Sequence, residues 1–279
     1  MSESSLTCGE ALAEACARID GESPRLDAEL LLTEVTGWPP ARFRAFPEAT
    51  LEPGQVVAFR QMVERRCAGE PVAHILGHQG FWTLTLEVTP DTLIPRPDTE
   101  CLVEAALSLP LPDKARVIDL GTGTGAIALA LLSERPDWEV QATDLVPEAV
   151  ALARRNAEHC GLPLTVTQSH WFAGLAHQHF NLIVSNPPYI EEGDHHLASG
   201  DVRYEPDSAL VSGSDGLDAI RHLVHKSQYW LTPGGWLVLE HGYNQGEAVR
   251  LLFRAGGYSN VETRKDYGGN DRLTLGRWH

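Results

Sequence analysis

Four consecutive residues, Asn186-Pro187-Pro188-Tyr189, close the apolar run "NLIVS" and leave an amide, two rings and a phenol at the end of a buried strand. Two prolines cannot continue a central strand, because neither offers the N–H that a ladder requires. The Asn186 side-chain oxygen is an acceptor, as is the Pro187 carbonyl, and the prolines supply no local donor that competes for them. Tyr189 can lay its ring beside a planar group. Two fixed acceptors and a flat wall suit a planar –NH2, whose two N–H bonds they would hold while one face of the nitrogen stays free. An amide or aromatic amine is a weak nucleophile, so alignment is what a protein can add; orientation effects reach ~7–11 kcal/mol. As positive charge develops on the nitrogen, both hydrogen bonds become charge-assisted and strengthen in the transition state.

A second constellation is Asp119-Leu120-Gly121-Thr122-Gly123-Thr124-Gly125, between an apolar strand pattern and an apolar helix pattern. Glycines there allow a tight turn and close approach of a ligand to the backbone, and the helix start offers free N–H groups. Asp144 ends the next strand, where a carboxylate can accept both hydroxyls of a ribose. Gly121, Gly123 and Ala126 also satisfy the dinucleotide fingerprint, which keeps a nicotinamide dehydrogenase open on these residues alone. The loop with its leading acid resembles motif I of the class I methyltransferases. Their cofactor, S-adenosylmethionine, lacks phosphates but carries an amino group and a sulfonium, which suits acids near the loop.

The elements that must position these groups fall in two zones. Residues 1–75 read as short helices. Thr7 and Glu10 form a capping-box pattern before Leu12, Ala15, Cys16 and Ile19 at helical spacing. Ser23-Pro24 is a second start signal, Leu26, Leu30 and Leu31 give that helix an apolar face, and Gly37 closes it. "WPPARFRAFP" breaks the pattern, and a longer helix is expected from about Pro53 to Cys67. Residues 76–90 read as a hairpin linker, with Trp82, Leu84, Leu86 and Val88 alternating. From residue 91 to 279 strands and helices alternate, which implies a mostly parallel sheet covered by helices, with ligands at the carboxyl ends of the strands. "NVETRKDYGGNDRLTLGRW" reads as a terminal hairpin. The strand before Asn186 is expected as the fourth of the sheet, beside the first strand's glycine loop.

Composition bounds the partners. The chain has 279 residues, 43% hydrophobic and 22% charged, with a formal net charge of −16. An acidic protein lacks the positive field that drives non-specific nucleic-acid binding. Five scattered cysteines without a CxxC pair fit a reducing cytoplasm better than a disulfide framework or zinc site. No apolar stretch approaches a membrane span, and no secretory leader is seen. His177 with His179, and Asp194 with His195 and His196, can be drawn as metal ligands, but loop histidines are more often solvated; no metal is expected.

Taken together, "DLGTGTGAIALAL" and "IVSNPPYI" look like an amino-methyltransferase. The tetrad alone is shared by DNA adenine-N6 and protein glutamine-N5 methyltransferases. "EPVAHILG" (70–77), "TLIPRPDTE" (92–100), "GDVRYEPDSAL" (200–210) and "DRLTLGRW" (271–278) resemble the HemK/PrmC family of release-factor glutamine methyltransferases. The resemblance spans essentially the whole chain. It implies a Rossmann-like class I methyltransferase domain, α/β, with a mostly parallel seven-stranded sheet and a C-terminal antiparallel hairpin, preceded by a helical bundle that docks the substrate. It implies an enzyme that methylates the glutamine of the Gly-Gly-Gln motif in class I peptide chain release factors. A monomer in the cytoplasm is expected, and the acidic charge with no basic recognition domain argues against direct DNA binding. By the same resemblance Asp119, Gly121, Thr122, Gly123, Thr124, Gly125, Asp144, Trp171 and Asn186 hold S-adenosylmethionine, releasing S-adenosylhomocysteine as product. Asn186, Pro187, Pro188 and Tyr189 hold the glutamine amide, with Asn186, Pro187 and Tyr189 in the catalytic role. His170 stands where this family leads one to expect an acid. Arg96, Glu100, Arg203 and Glu205 divide between pocket contacts and ion pairs that brace the domain junction.

Overall fold

The structure is a computed structural model that describes residues 6–198 and 200–279. It divides into two compact units, Met1–His78 with His196–Tyr204, and Gln79–His195 with Glu205–His279. The first unit thus takes in a short segment far along the chain, which the continuous boundaries drawn from sequence do not anticipate. Among the described residues no helix is long and apolar enough to cross a membrane.

The first unit packs helices α1 (Cys8–Arg18), α2 (Pro24–Thr36), α3 (Pro40–Ala45), α4 (Pro53–Cys67) and α5 (Val72–Leu76) around Leu12, Leu31, Leu32, Phe43, Phe59 and Val63. The expected capping box is present: Thr7 Oγ1 accepts from the Glu10 amide, and the Glu10 carboxylate accepts from the Thr7 amide. Gly37 closes α2 at φ 67°, as expected, but Ser23 starts it without a side-chain cap bond. The proline-rich stretch read as a break contains α3, because Pro40 falls at the first helical position, where its missing N–H costs nothing. Arg66 is the polar tie of this unit: Nε donates to Asp27 at 2.7 Å and Nη1 to Asp201 at 2.8 Å.

In the second unit, strands β1 (His78–Phe81) and β2 (Leu84–Glu87) form the linker hairpin. Then follow α6 (Glu100–Leu107), β3 (Arg116–Leu120), α7 (Ala126–Glu134), β4 (Glu139–Asp144), α8 (Pro147–Cys160), β5 (Thr165–Gln168), β6 (Phe180–Ser185), α9 (Asp207–Leu210), α10 (Asp218–Ser227), β7 (Leu231–Glu240), α11 (Gly246–Ala255), β8 (Ser259–Lys265) and β9 (Asp271–Arg277). The seven-stranded sheet has the order β5-β4-β3-β6-β7-β9-β8. The first five of these strands are parallel and β9 is antiparallel to both neighbours. This is the mostly parallel sheet with a terminal hairpin that the alternation implies.

Strands in such a sheet are buried on both faces, which explains their unbroken apolar runs. Val117, Leu182, Val184 and Val238 point to one core with α6, α7 and α8. Ile118, Leu120, Ile183, Leu237 and Leu239 point to the other with α10 and α11. The order reverses between β3 and β6, so their carboxyl ends open a crevice at the switch point. In the first unit, Arg66→Ala removes the guanidinium that joins Asp27 and Asp201. It should lower the opening free energy of α4 by about 2–4 kcal/mol, read by amide hydrogen exchange, and leave the exchange of β3 and β7 unchanged.

Candidate active site

Parallel pairing aligns Asp119 with Val184, so the glycine loop after β3 and Asn186 after β6 leave the sheet side by side. Ser185, fully buried, locks the two ends together by donating to the Leu120 carbonyl at 2.6 Å. The loop is fastened on its other side, where the Thr143 carbonyl accepts from the amides of Gly121 and Thr122, both at 2.9 Å. Gly121 has φ 69°, and a Cβ there would lie 3.2 Å from the Trp171 ring, so the turn needs glycine for its conformation and for its neighbour.

These ends border a cavity of about 480 Å3. Gly121, Thr122, Gly123 and Thr124 line it, as do Asp144, Trp171, Asn186 and Pro188. Gly125 does not; it starts α7 with φ 87°, packed against Leu129 and Ala153. Asp119 lies beneath the loop, fully buried and off the cavity wall, and accepts from the Thr122 hydroxyl at 2.6 Å. In this geometry it braces the loop from below. Burial pushes its carboxyl up to about 7, against the pull of Thr122. Asp144 accepts from the Gly123 amide at 2.8 Å through Oδ2 and from the Val146 amide at 3.0 Å through Oδ1, and burial raises its pKa as well. Each of its oxygens keeps a lone pair for a further donor.

In the tetrad, the Asn186 nitrogen donates to Thr99 Oγ1 at 3.3 Å. Among the described residues the Asn186 side-chain oxygen has no donor. Pro187 is buried and Tyr189 half-buried, and neither is on the cavity wall. The Tyr189 ring packs into the α10–α11 core, its hydroxyl donates to Glu240 at 3.2 Å, and its carbonyl accepts from Gln245 at 3.0 Å. The flat wall expected of this ring is therefore replaced by an anchor.

Of the residues weighed in the sequence, Arg96 and His170 also line the cavity, and His222 joins them without having been singled out there. Arg96 lines the cavity and pairs with the buried Glu205 at 2.6 Å, and Glu205 also accepts from the Ile94 amide at 2.8 Å. Glu100 is not its partner; it accepts from the Trp82 amide at 2.8 Å. Arg203 lies over the Tyr204 ring, 5.0 Å from its centroid. His170 and Trp171 meet His222 of α10, with ring centroids 5.9 and 6.4 Å away. Burial, then the neighbouring His170, holds the His222 pKa below its ordinary value. The i, i+3, i+4 spacing of Ile220, Leu223 and Val224 marks the core face of α10 and leaves His222 off that face, so the pattern itself does not point to the cavity. His177 stacks edge-on to His179 and against Trp230. Asp194 and His195 approach to 3.5 Å, and the His196 side chain lies outside the described residues.

Family models for the PrmC N-terminal domain and the methyltransferase small domain match residues 10–77 and 98–201. The chain is 55% identical to the release factor glutamine methyltransferase of Salmonella typhimurium, over 93% of this chain and 94% of that protein. The chain belongs to the release factor glutamine methyltransferase family. The release factor glutamine methyltransferase of Pseudomonas aeruginosa is 56% identical over 93% of this chain and 94% of its own. A methyltransferase structure from Pyrococcus furiosus, 21% identical, superposes with a TM-score of 0.54 over 78% of this chain and 96% of that one, a likeness of fold. The second unit is thus the Rossmann-like class I methyltransferase fold of a release factor glutamine methyltransferase, with the glycine loop and the tetrad at its switch point.

The position of Asp119 in this fold has a pH signature. Its folded-state pKa, about 7, stands above the ordinary 3.8. Stability from this group is therefore full below pH ~4 and is lost as the pH rises through ~7. Asp119→Asn cannot ionise, so relative to the parent chain it should gain stability between pH 4 and pH 8, by at most roughly 4 kcal/mol. Urea titrations at the two pH values measure this; an equal difference at both contradicts it.

Proposed function

We propose that this chain transfers a methyl group from S-adenosylmethionine to the side-chain amide nitrogen (N5) of the glutamine in the Gly-Gly-Gln motif of class I peptide chain release factors, at the Asn186–Tyr189 tetrad. The observation that carries this reading is the state of the Asn186 amide. Its nitrogen is engaged by Thr99, while its oxygen, on the wall of the cavity, is free to accept.

The residues present fit the cofactor. The positive-φ turn at Gly121 and Gly123 opens a cradle that a Cβ at Gly121 would crowd against Trp171. Asp144, at the rim of that cradle, has acceptor capacity for ribose hydroxyls. Trp171 and the exposed side chain of Leu145 are apolar surfaces in the same cavity, suited to a flat base. S-adenosylmethionine, when bound, supplies an electrophilic methyl carbon on a sulfonium.

The protein's own part is orientation. Asn186 Oδ1 and the Pro187 carbonyl accept the two N–H bonds of the glutamine amide and leave one face of its nitrogen open to the cavity. The lone pair of that nitrogen is delocalised in the ground state. Charge that gathers on the N–H bonds as the lone pair is recruited strengthens both hydrogen bonds, so the stabilisation is greatest in the transition state. One of the two protons then passes to water and leaves a neutral N-methyl amide. Pro187 and Pro188 keep the acceptors free of local competitors, and Tyr189 holds the tetrad to the sheet. The cytoplasm is the setting for this reaction, in line with five cysteines that are all free thiols. The first unit is read as the surface that docks the release factor.

Incubation of intact release factor with this chain and S-adenosylmethionine should add the mass of one methyl group, mapped by fragmentation to the glutamine of Gly-Gly-Gln. No mass shift at saturating cofactor refutes the activity. Asn186→Ala should lower turnover by about ten- to a hundred-fold, the worth of a hydrogen bond to a developing charge, with cofactor affinity by calorimetry nearly unchanged. Undiminished turnover removes Asn186 from the role given to it here.

A further inference from the structure

A side-chain amide reads the same shape with its oxygen and nitrogen exchanged, so something must decide which end faces the substrate. For Asn186 the choice is between an acceptor and a donor aimed at the cavity. Its nitrogen donates to Thr99 Oγ1 at 3.3 Å, and Thr99 is almost wholly buried beside the cavity. A hydroxyl has one hydrogen, so the direction of that bond holds only if the Thr99 hydrogen points elsewhere.

Glu240, at the end of β7, is where it can point. Its side chain is buried, it accepts from the Tyr189 hydroxyl at 3.2 Å through Oε1, and among the described residues Oε2 has no partner of full hydrogen-bond geometry. A buried carboxylate oxygen in that condition needs a donor. Thr99 follows Asp98, which pairs with Arg272, and Arg272 precedes Leu273, the register partner of Glu240. The Thr99 hydroxyl is thereby brought toward this carboxylate and favours its charged form. So does Arg272 of β9, which is itself held by Asp266 at 2.9 Å and Asp98 at 3.2 Å. The carboxylate accepts from Tyr189 at one end of the tetrad and has Oε2 left to take a hydrogen from Thr99, which contacts the other end.

We propose that Thr99 and Glu240 are positioning residues that fix the sense of the Asn186 amide, so that its oxygen and not its nitrogen is presented to the glutamine amide. Glu240 takes the Thr99 hydrogen, the Thr99 oxygen is left as an acceptor, and the Asn186 nitrogen is drawn to it. Through Tyr189 the same carboxylate holds the far end of the tetrad. Burial, opposed by Thr99, Arg272 and Tyr189, brings the Glu240 carboxyl to about 7, which keeps a substantial charged fraction at neutral pH.

This inference rests on the reading of Asn186 as the amide holder, and the experiment separates the two. Four variants are compared by steady-state methylation of intact release factor and by calorimetric S-adenosylmethionine affinity, with thermal melting as the check on folding. Thr99→Val keeps the shape and loses the hydroxyl; its kcat should fall about tenfold with cofactor Kd unchanged. Thr99→Ser restores the hydroxyl and should return to within about twofold of the parent. Glu240→Gln places an NH2 donor beside Thr99, which reverses the hydrogen bonds and turns the Asn186 nitrogen to the cavity, so kcat should fall about tenfold or more. The double variant Thr99→Val/Glu240→Gln should be no worse than the poorer single, because both act through one route. Parent-like kcat in Thr99→Val, equal damage in Thr99→Ser, or a parallel loss of cofactor affinity overturns the proposal. If Asn186→Ala is impaired and Thr99→Val is not, the inference alone fails; if Asn186→Ala is fully active, the reading beneath it fails.

Discussion

The parallel register between β3 and β6 is the constraint on which the site depends. It fixes Asp119 opposite Val184, so that a turn belonging to one strand and a tetrad belonging to another emerge at the same height. A slip of one residue would exchange the faces of Val117 and Ile118, or of Leu182 and Ile183, and bury each in the wrong core. Hydrophobic packing of two complete cores therefore enforces a geometry that no local preference of the glycine loop or the tetrad could enforce alone. The hydrogen bond from Ser185 to the Leu120 carbonyl sits at the last point where the two strands still touch, just before they part around the cavity.

Charge is handled in depth around that opening. Asp119 and Glu240 are buried acids, one under each half of the site, and burial lifts both to about 7. Neither is on the cavity wall. Each receives a hydroxyl, Thr122 in the first case and Tyr189 in the second, belonging to the segment that does face the cavity. Buried carboxylates are costly unless well bonded, and they specify a single arrangement of donors when they are. The two acids act as fixed points against which the loop and the tetrad are held, while Asp144, on the cavity wall, keeps acceptor capacity of its own.

Much of this was legible in the sequence. Gly121 and Gly123 announce a turn because only glycine sits easily at their φ values, and the paired prolines announce the end of β6 because they cannot join a ladder. Those are backbone demands, and they leave a mark at the position itself. Side-chain depth leaves no such mark. Asp119 was read as a cofactor ligand and Tyr189 as a flat wall, but the alternation of β3 turns Asp119 beneath the loop, and the Glu240 carboxylate draws Tyr189 inward. Thr99, Glu240 and His222 come from separate elements and meet only once the sheet is assembled, so no window of sequence contains them together. The same is true of Arg96 and Glu205, a pair set by tertiary structure where the sequence suggested Arg96 with its near neighbour Glu100.

The segment His196–Tyr204 belongs to the helical unit although it lies beyond β6 in the chain. Domains generally fold as units, and N-terminal ones first during synthesis. Here the amino-terminal helices leave the ribosome with one of their own pieces still unmade, and the partner that Arg66 awaits, Asp201, is separated from it by 135 residues. Completion of that unit is thereby tied to translation through most of the methyltransferase core. Birth order in the polypeptide and order of structural completion therefore differ for the helical unit, which can close only after β6 has been made.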